Sequence, residues 1–543
     1  MSQTTLKSVT ILTILILLHI NPSFQLNNTK NVLDFDSLTY IWPLPSQFTS
    51  GNLTLSVDPS LSLTLDSKSS STIVKDAFER YKKIIFKHSG GSSSVFDLFR
   101  FKRPDFDVTH LKIVVFSDSD ELHLGVDESY SLFVDKKDGQ SIIGEATIEA
   151  NTIYGALRGL ETFSQLCTFD YGTKSVQIHK APWYIQDKPR FAYRGLLLDT
   201  SRHYLPIDVI KQIIESMTYA KLNVLHWHII DEQSFPLEVP TYPKLWQGSY
   251  SKWERYTVED AYDIVNFAKI RGINVLAEID VPGHAESWGA GYPDLWPSTS
   301  CKEPLDVSKN FTFDVISGIL SDMRKIFPFE LFHLGGDEVN TDCWKSTPHV
   351  KQWLQDQNFT TKDAYQHFVT RAQEIAISKG WTPVNWEETF LSFPSHLHPS
   401  TIVHNWLVGG VCAKAVAKGF RCIFSNQGYW YLDHLDVPWY EVYNAEPLEG
   451  IENASEQELV LGGEVCMWAE TADTSVVQQT IWPRAAAAAE RLWSRREANS
   501  TETALPRFHY FRCLLNRRGV AAAPVSNFYA RRPPVGPGSC YEQ

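Results

Sequence analysis

From Phe191 onward the chain repeats one theme: a short apolar run, in most cases with an acid or tryptophan at or just past its end, followed in most cases by an amphipathic stretch. Eight such runs occur: Tyr193–Asp199, Asn223–Asp231, Asn274–Asp280, Leu331–Gly335, Pro383–Trp386, Thr401–Trp406, Arg421–Ser425 and Val460–Trp468. They are mostly apolar, as strands of a sheet covered on both faces are. The stretches between them, such as Ile207 to Ala220 and Val258 to Arg271, carry helical spacing. Eight βα units predict an α/β fold, a (β/α)8 TIM barrel. In that architecture chemistry gathers at the C-terminal ends of the strands. Those ends carry Asp231, Asp280, Asp337-Glu338, Trp386-Glu387-Glu388, Trp406, and Trp468 with Glu470. Arg194 is an exception, standing near the start of its strand.

The preceding residues, 26–190, read as a smaller α+β domain. Leu111 to Phe116 and Ser131 to Val134 predict strands, and Asn151 to Leu166 a helix, on the spacing of Ile153, Leu157, Leu160, Phe163 and Leu166. Ser89 to Ser94 is a Gly/Ser loop, and Pro182 to Arg190 reads as the junction to the barrel domain, 191–543. The last stretch, Arg491 to Gln543, reads as a loop-like, Pro-rich extension lying on the barrel.

Residues 1–25 have the layout of a secretory signal peptide: Lys7, the apolar run Val9 to Ile20, then Asn21-Pro22-Ser23. The run is short for a membrane span, and no second long apolar run follows. Six glycosylation sequons suit secretory transit: Asn27, Asn52, Asn310, Asn358, Asn453 and Asn499. The eight cysteines show no CxxC spacing, and an oxidising compartment would pair some of them. The net charge of −13 comes with no basic stripe, which argues against nucleic acid as a partner.

The sharpest local signal is His333-Leu334-Gly335-Gly336-Asp337-Glu338, after the mostly apolar Phe327 to Phe332. It reads as a strand opening into a tight turn that sets two carboxylates side by side. Such acids repel, so one is expected to hold its proton near neutral pH, as a general acid must. Acids and aromatics in a barrel mouth suggest glycoside hydrolysis. Adjacent side chains do not easily flank a sugar ring, so a contiguous pair suits a substrate that supplies its own nucleophile, a 2-acetamido carbonyl. His226 and His228 share one strand face and raise the alternative of a metal-dependent amidohydrolase; the scarcity of further His at later strand ends argues for a structural pair.

The chain resembles the family 20 β-N-acetylhexosaminidases, plant members in particular. The stretches that carry the resemblance are Arg194 to Tyr204 (RGLLLDTSRHY), His226 to Asp231, Asp280 to His284, His333 to Glu338 and Glu464 to Trp468. With weaker similarity around them they extend it from about Asp34 to the C-terminus. The resemblance implies a cofactor-free, exo-acting, retaining enzyme removing terminal GlcNAc or GalNAc from N-glycans and chito-oligosaccharides. It implies that Glu338 is the general acid and Asp337 the residue that orients the acetamido group, with Tyr431 bonding the acetamido oxygen. Asp231 and His284 would form a network behind Glu338. Trp386, Trp406 and Trp468 would wall the pocket, Arg194 would grip sugar hydroxyls, and Asp433 and Glu470 would accept from the O4/O6 side. Disulfides Cys301–Cys343 and Cys513–Cys540 are implied too, leaving Cys167, Cys412, Cys422 and Cys466 unassigned. The resemblance favours the vacuole over the cell exterior. The sequence is compatible with a homodimer and does not decide it.

Overall fold

The computed structural model describes residues 40–68, 71–88, 106–134, 144–407 and 409–526. In the first part, strands β1 (Gln47–Ser67), β2 (Val108–Val115), β3 (Tyr130–Val134), β4 (Gly144–Ala150), β5 (Cys167–Asp170) and β6 (Ser175–Asp187) form one mixed sheet. Its order is β1-β2-β4-β3-β6-β5, with β1 also pairing β6. Strands β2 and β3 and the helix Ile153–Leu166 fall where the sequence predicts them. The helix starts where the Thr152 hydroxyl accepts from Gly155 N, a side-chain cap. All of its residues are buried, polar ones included, because neighbours cover every face. Strand β6 takes in most of the stretch Pro182 to Arg190, so the chain leaves this sheet only at Asp187. The Gly/Ser loop at Ser89 to Ser94 lies outside the described residues.

The eight expected strands are all present: β7 (Tyr193–Asp199), β8 (Val224–Ile230), β9 (Asn274–Ile279), β10 (Leu331–His333), β11 (Thr382–Trp386), β12 (Ile402–Asn405), β13 (Arg421–Phe424) and β14 (Val460–Met467). They pair in parallel and close into a barrel. Its base is filled by Tyr193, Val224, Leu276, Leu331, Val384, Ile402 and Ile423. One step up, the filling turns polar: His226, Glu278, His333, His404 and Glu464, all fully buried. Gly195 makes room in that layer, since a Cβ there would stand 2.5 Å from Glu464 Oε2.

The C-terminal expectation needs correcting. Thr501–Arg518 is an 18-residue helix, not a loop. Ser500 caps it, accepting from Thr503 N, and Phe508, Phe511, Leu514 and Leu515 supply a buried face that outweighs Pro506 inside it. The helix and the segment before it hold the first of the described residues, Ile41 to Leu44. Arg507 makes a bidentate pair with Glu490, at 2.8 and 2.7 Å, and Glu490 also accepts from Leu44 N at 2.8 Å. Trp42 packs on Phe508, and its indole donates to the Ala486 carbonyl at 2.9 Å.

Cysteines 301 and 343 are joined, as the resemblance implied. Cys412–Cys422 is a second bridge that spacing did not reveal; it joins the helix Val411–Val416 to β13. Cys513 is disulfide-bonded, while Cys540 lies outside the described residues. Cys167 and Cys466 are free and buried. Asn27 lies outside the described residues; Asn52, Asn310, Asn358, Asn453 and Asn499 are exposed. No helix of the described residues is long and apolar enough to cross a membrane.

The first sheet and the barrel meet over a buried ionic cluster. Glu128, ahead of β3, receives Arg194 Nη2 at 2.7 Å, Arg158 Nε at 2.8 Å and Asn223 Nδ2 at 3.2 Å. Beside it Lys221 donates to Asp187 at 2.9 Å, and the Trp493 indole donates to the same carboxylate. Burial alone would raise the Glu128 pKa; Arg194 and Arg158 override it and hold the carboxyl below its ordinary range. Removing one partner leaves a buried charge short of compensation. Arg194→Met is therefore expected to cost about 3–5 kcal/mol of stability. Chemical denaturation checks this, and an unchanged midpoint would refute it.

Candidate active site

Strand β10 ends at His333, and the backbone turns at once. Gly335 and Gly336 take positive φ of 61° and 97°. At Gly335 this is obligatory, since a Cβ would lie 1.9 Å from Asp280 Oδ1. That same oxygen accepts from Gly336 N at 2.8 Å. The Gly335 carbonyl is held by Asn385 Nδ2 at 2.9 Å and by Trp386 N at 3.1 Å, and the Gly336 carbonyl by the Tyr365 hydroxyl. The turn therefore presents Asp337 and Glu338 from fixed backbone. The Asp337 side chain is 12% exposed and that of Glu338 60%.

His284, from the loop after β9, lies between them and the barrel. Its Nδ1 is 3.0 Å from Asp231 Oδ1, while Nε2 is 3.5 Å from Glu338 Oε2 and 3.6 Å from Asp337 Oδ2. The structure thus joins Asp231, His284, Asp337 and Glu338 as the resemblance implied. Burial would discharge His284, but Asp280, Asp231 and Glu338 together raise its pKa far above the ordinary value. Asp231 is held below the carboxylate range despite burial, by hydrogen bonds from His228 and His284 and by the Arg202 charge.

The raised carboxyls in the site lie elsewhere than Glu338. The hydrogen bond from His284 lowers Glu338, which is open to water. Like-charge repulsion falls on groups deeper in the site instead. Burial and then Asp337 push Asp280 well up, and the same two causes raise Glu388 to about 8.

Aromatic rings wall the mouth. Trp386, Tyr431 and Cys466 pack with Leu197, and Trp406 and Trp468 lie against them. Trp406 and Tyr431 run nearly parallel, 9° apart with centroids at 6.0 Å. The Trp406 indole donates to Glu388, with N–O distances of 3.0 and 3.1 Å. Asp433 is raised to about 6, by burial first, and its Oδ1 is buried without a partner, as is Asp337 Oδ1. Glu470 stands half-exposed at the rim.

Arg194 is not in this site. It lies at the opposite end of the barrel, fully buried, its donors taken by Glu128 and the carbonyls of Phe191 and Lys221. The arginine that the mouth does hold is Arg202, in the segment following β7. Its Nη2 lies 2.7 Å from Asp231, its Nη1 3.1 Å from Asp199 and 3.7 Å from Glu470, and its guanidinium sits over Trp468. The signal was in the same quoted stretch: Arg202 follows the end of its strand, and Arg194 follows the start. Asp280 and Glu388 also went without a role, although both stand at strand ends.

Beneath the mouth, His226 and His228 each touch two carboxylates. His226 lies 2.8 Å from Glu464 and 3.0 Å from Glu278; His228 lies 2.5 Å from Glu278 and 2.7 Å from Asp231. Burial would discharge both rings, but these acids raise them to about 9 and about 10. His226, Glu278 and His333 bring ligand atoms within 4.8 Å of one another, as do His226, His404 and Glu464. A cation would fit that spacing only by displacing ion pairs and hydrogen bonds the residues already make with each other.

Comparison with known proteins agrees with this geometry. The family described as "Glycosyl hydrolase family 20, catalytic domain" matches residues 191–496, and "beta-acetyl hexosaminidase like" matches residues 41–166. Beta-hexosaminidase 1 of Arabidopsis thaliana is 76% identical over 514 residues, covering 94% of this chain and 95% of that one. The human beta-hexosaminidase subunit beta is 35% identical over 479 residues, covering 84% and 82%. The crystal structure of a Flavobacterium johnsoniae chitobiase superposes with a TM-score of 0.78 at 28% identity, covering 89% of this chain and 73% of that one. A barrel whose fourth strand opens through two glycines onto a carboxylate pair, with these relatives over nearly its whole length, belongs to glycosyl hydrolase family 20.

Proposed function

We propose that the chain is an exo-acting, retaining β-N-acetylhexosaminidase working by substrate-assisted catalysis on terminal GlcNAc or GalNAc. One observation carries the assignment of roles: oxygens of Asp337 and Glu338 rest 3.6 and 3.5 Å from the same imidazole nitrogen. Both acids approach a bound sugar from one side, so neither stands across the bond from the other, as an enzymic nucleophile does opposite its acid. The other acids near Asp337 are poor nucleophiles: burial and Asp337 push Asp280 well above its ordinary value, and Glu388 is held by Trp406 and raised to about 8. The acetamido carbonyl oxygen attacks C1 while Glu338 gives its proton to the leaving oxygen. The resulting oxazolinium N–H is stabilised by Asp337, whose buried Oδ1 has no hydrogen-bond partner among the described residues. Tyr431 donates to the acetamido oxygen. Water then attacks C1 from the vacated side and returns a proton to Glu338, giving net retention. The aglycone covers the exposed Glu338 carboxyl, and loss of water raises its pKa toward that of an acid that is still protonated at work.

Arg202 takes the sugar hydroxyls in place of Arg194, with Asp433 and Glu470 accepting on the outer side. Glycans are the fitting substrates, N-glycans and chito-oligosaccharides among them. The N-terminal segment and five exposed sequons support travel along the secretory route, to the vacuole in our reading. Gel filtration decides whether the chain pairs into a homodimer, which the sequence leaves open.

Glu338→Gln is expected to keep fold and substrate binding but to lose about 10²–10⁴-fold in turnover on substrates with poor leaving groups. Near-wild-type rates there would refute the acid role. Asp337→Asn is expected to lower kcat by about 10²–10³-fold, the worth of one preorganised charge contact to the transition state. The substrate class is tested with aryl β-GlcNAc, β-GalNAc and β-glucose side by side. The glucoside lacks the nucleophile and should react very poorly; comparable turnover, or a sugar trapped covalently on a carboxylate, would overturn the mechanism.

A further inference from the structure

Behind Asp231 the chain of contacts does not stop. His228 Nε2 lies 2.7 Å from Asp231 Oδ2, and His228 Nδ1 lies 2.5 Å from Glu278 Oε2. Asp231 uses its other oxygen for His284, which reaches Glu338. Glu278, His228, Asp231, His284 and Glu338 therefore form one unbroken line from the barrel core to the mouth. The first three are wholly shut off from water, so each must be answered by a neighbour rather than by solvent. We propose that His228 is a positioning residue for the acid: charged on both nitrogens, it keeps Asp231 ionised and aligned on His284, and so sets the pH range in which Glu338 exchanges its proton. This rests on the reading of Glu338 given above.

Every charged neighbour of His228 fits the assignment. From β8 and the turn after it come Asp231 on one nitrogen and His226, which shares Glu278. From β9 comes Glu278 on the other nitrogen. From β10 comes His333, whose Nδ1 is 2.8 Å from Glu278 and which shares that carboxylate with the other two rings. After β7, Asp199 pairs with Arg202, which also reaches Asp231. From β14, Glu464 answers His226, and past its end the Trp468 ring stands edge-on to His228, 5.0 Å between centroids. With a neutral side chain at 228, Asp231 would keep Arg202 and His284 but lose one of its three cationic partners.

The sign follows from charge. Removing a positive charge disfavours ionised carboxyls in the site, so both limbs of the pH profile move to higher pH. One unit charge at roughly 10 Å, with an effective dielectric of roughly 20 to 40, gives about half a unit to one unit. The test measures kcat and kcat/KM against pH on aryl β-GlcNAc for the wild type, His228→Gln and His228→Gln/Glu278→Gln. His228→Gln should move both limbs upward by that amount with KM changed less than about twofold. The double variant removes one charge of each sign and should return the limbs most of the way. Lower kcat with unmoved limbs would make His228 merely structural and overturn the proposal. Inactivity of Glu338→Gln alongside unmoved limbs in His228→Gln would sink this inference alone, whereas an active Glu338→Gln would sink the site reading itself. If the 228 variants do not fold, neutron diffraction from the wild-type protein at neutral pH decides. Deuterium on both ring nitrogens of His228 supports the proposal, and on one only overturns it.

Discussion

The carboxylate of Glu278 is the point on which this barrel turns. It lies in the middle of a closed sheet, without exposure, and faces His226, His228, His333 and the indole of Trp386. An acid there without those donors would be among the costliest groups a core can hold. With them, burial is outweighed and its pKa stays well below the ordinary value. The same donors then have little freedom of their own: Trp386 is fixed as a wall of the mouth, and His228 is fixed against Asp231. A satisfied polar layer halfway up the barrel makes the position of the chemistry above it a consequence of charge balance below it.

How much of this was legible depended on whether a feature is local. The eight barrel strands could be read because each is a mostly apolar run and helical stretches fall between most of them. The Gly-Gly turn could be read because only glycine allows the carboxyl of Asp280 so close to residue 335. Which arginine belongs to the mouth depends on strand direction, and the two candidates stand eight positions apart on opposite ends of one strand. The Thr501–Arg518 helix is obscured by Pro506 and by scattered arginines, whose partners Glu490 and Glu161 lie outside it, 17 and 357 positions away. The Cys412–Cys422 bridge needs a helix and a strand brought together, which spacing does not report. The location of the raised carboxyls is not legible from adjacency in sequence, because folding decides which acids face one another. The fold sets Asp280 against Asp337 and turns Glu338 toward water.

The first domain is more than a neighbour of the barrel. Its helix Ile153–Leu166 is covered on all sides, and Arg158 from it donates to the Gly272 carbonyl just ahead of β9. Glu128 and Asp187 from the same domain answer the buried cations Arg194 and Lys221 at the base of the barrel. Polar groups in the two units complete one another, so each interior is satisfied only with the other in place.

The contacts of Trp42 and Leu44 with Ala486 and Glu490, separated by about 445 positions, bear on how the protein is made. A ribosome releases the N-terminal sheet long before the residues that receive Trp42 exist. Until Arg507 has emerged, Glu490 lacks its guanidinium partner, and the indole of Trp42 lacks the aromatic face of Phe508. Synthesis therefore passes through a long interval in which an apolar edge of the first domain stays uncovered, and a chain cut short near its end is left permanently in that condition.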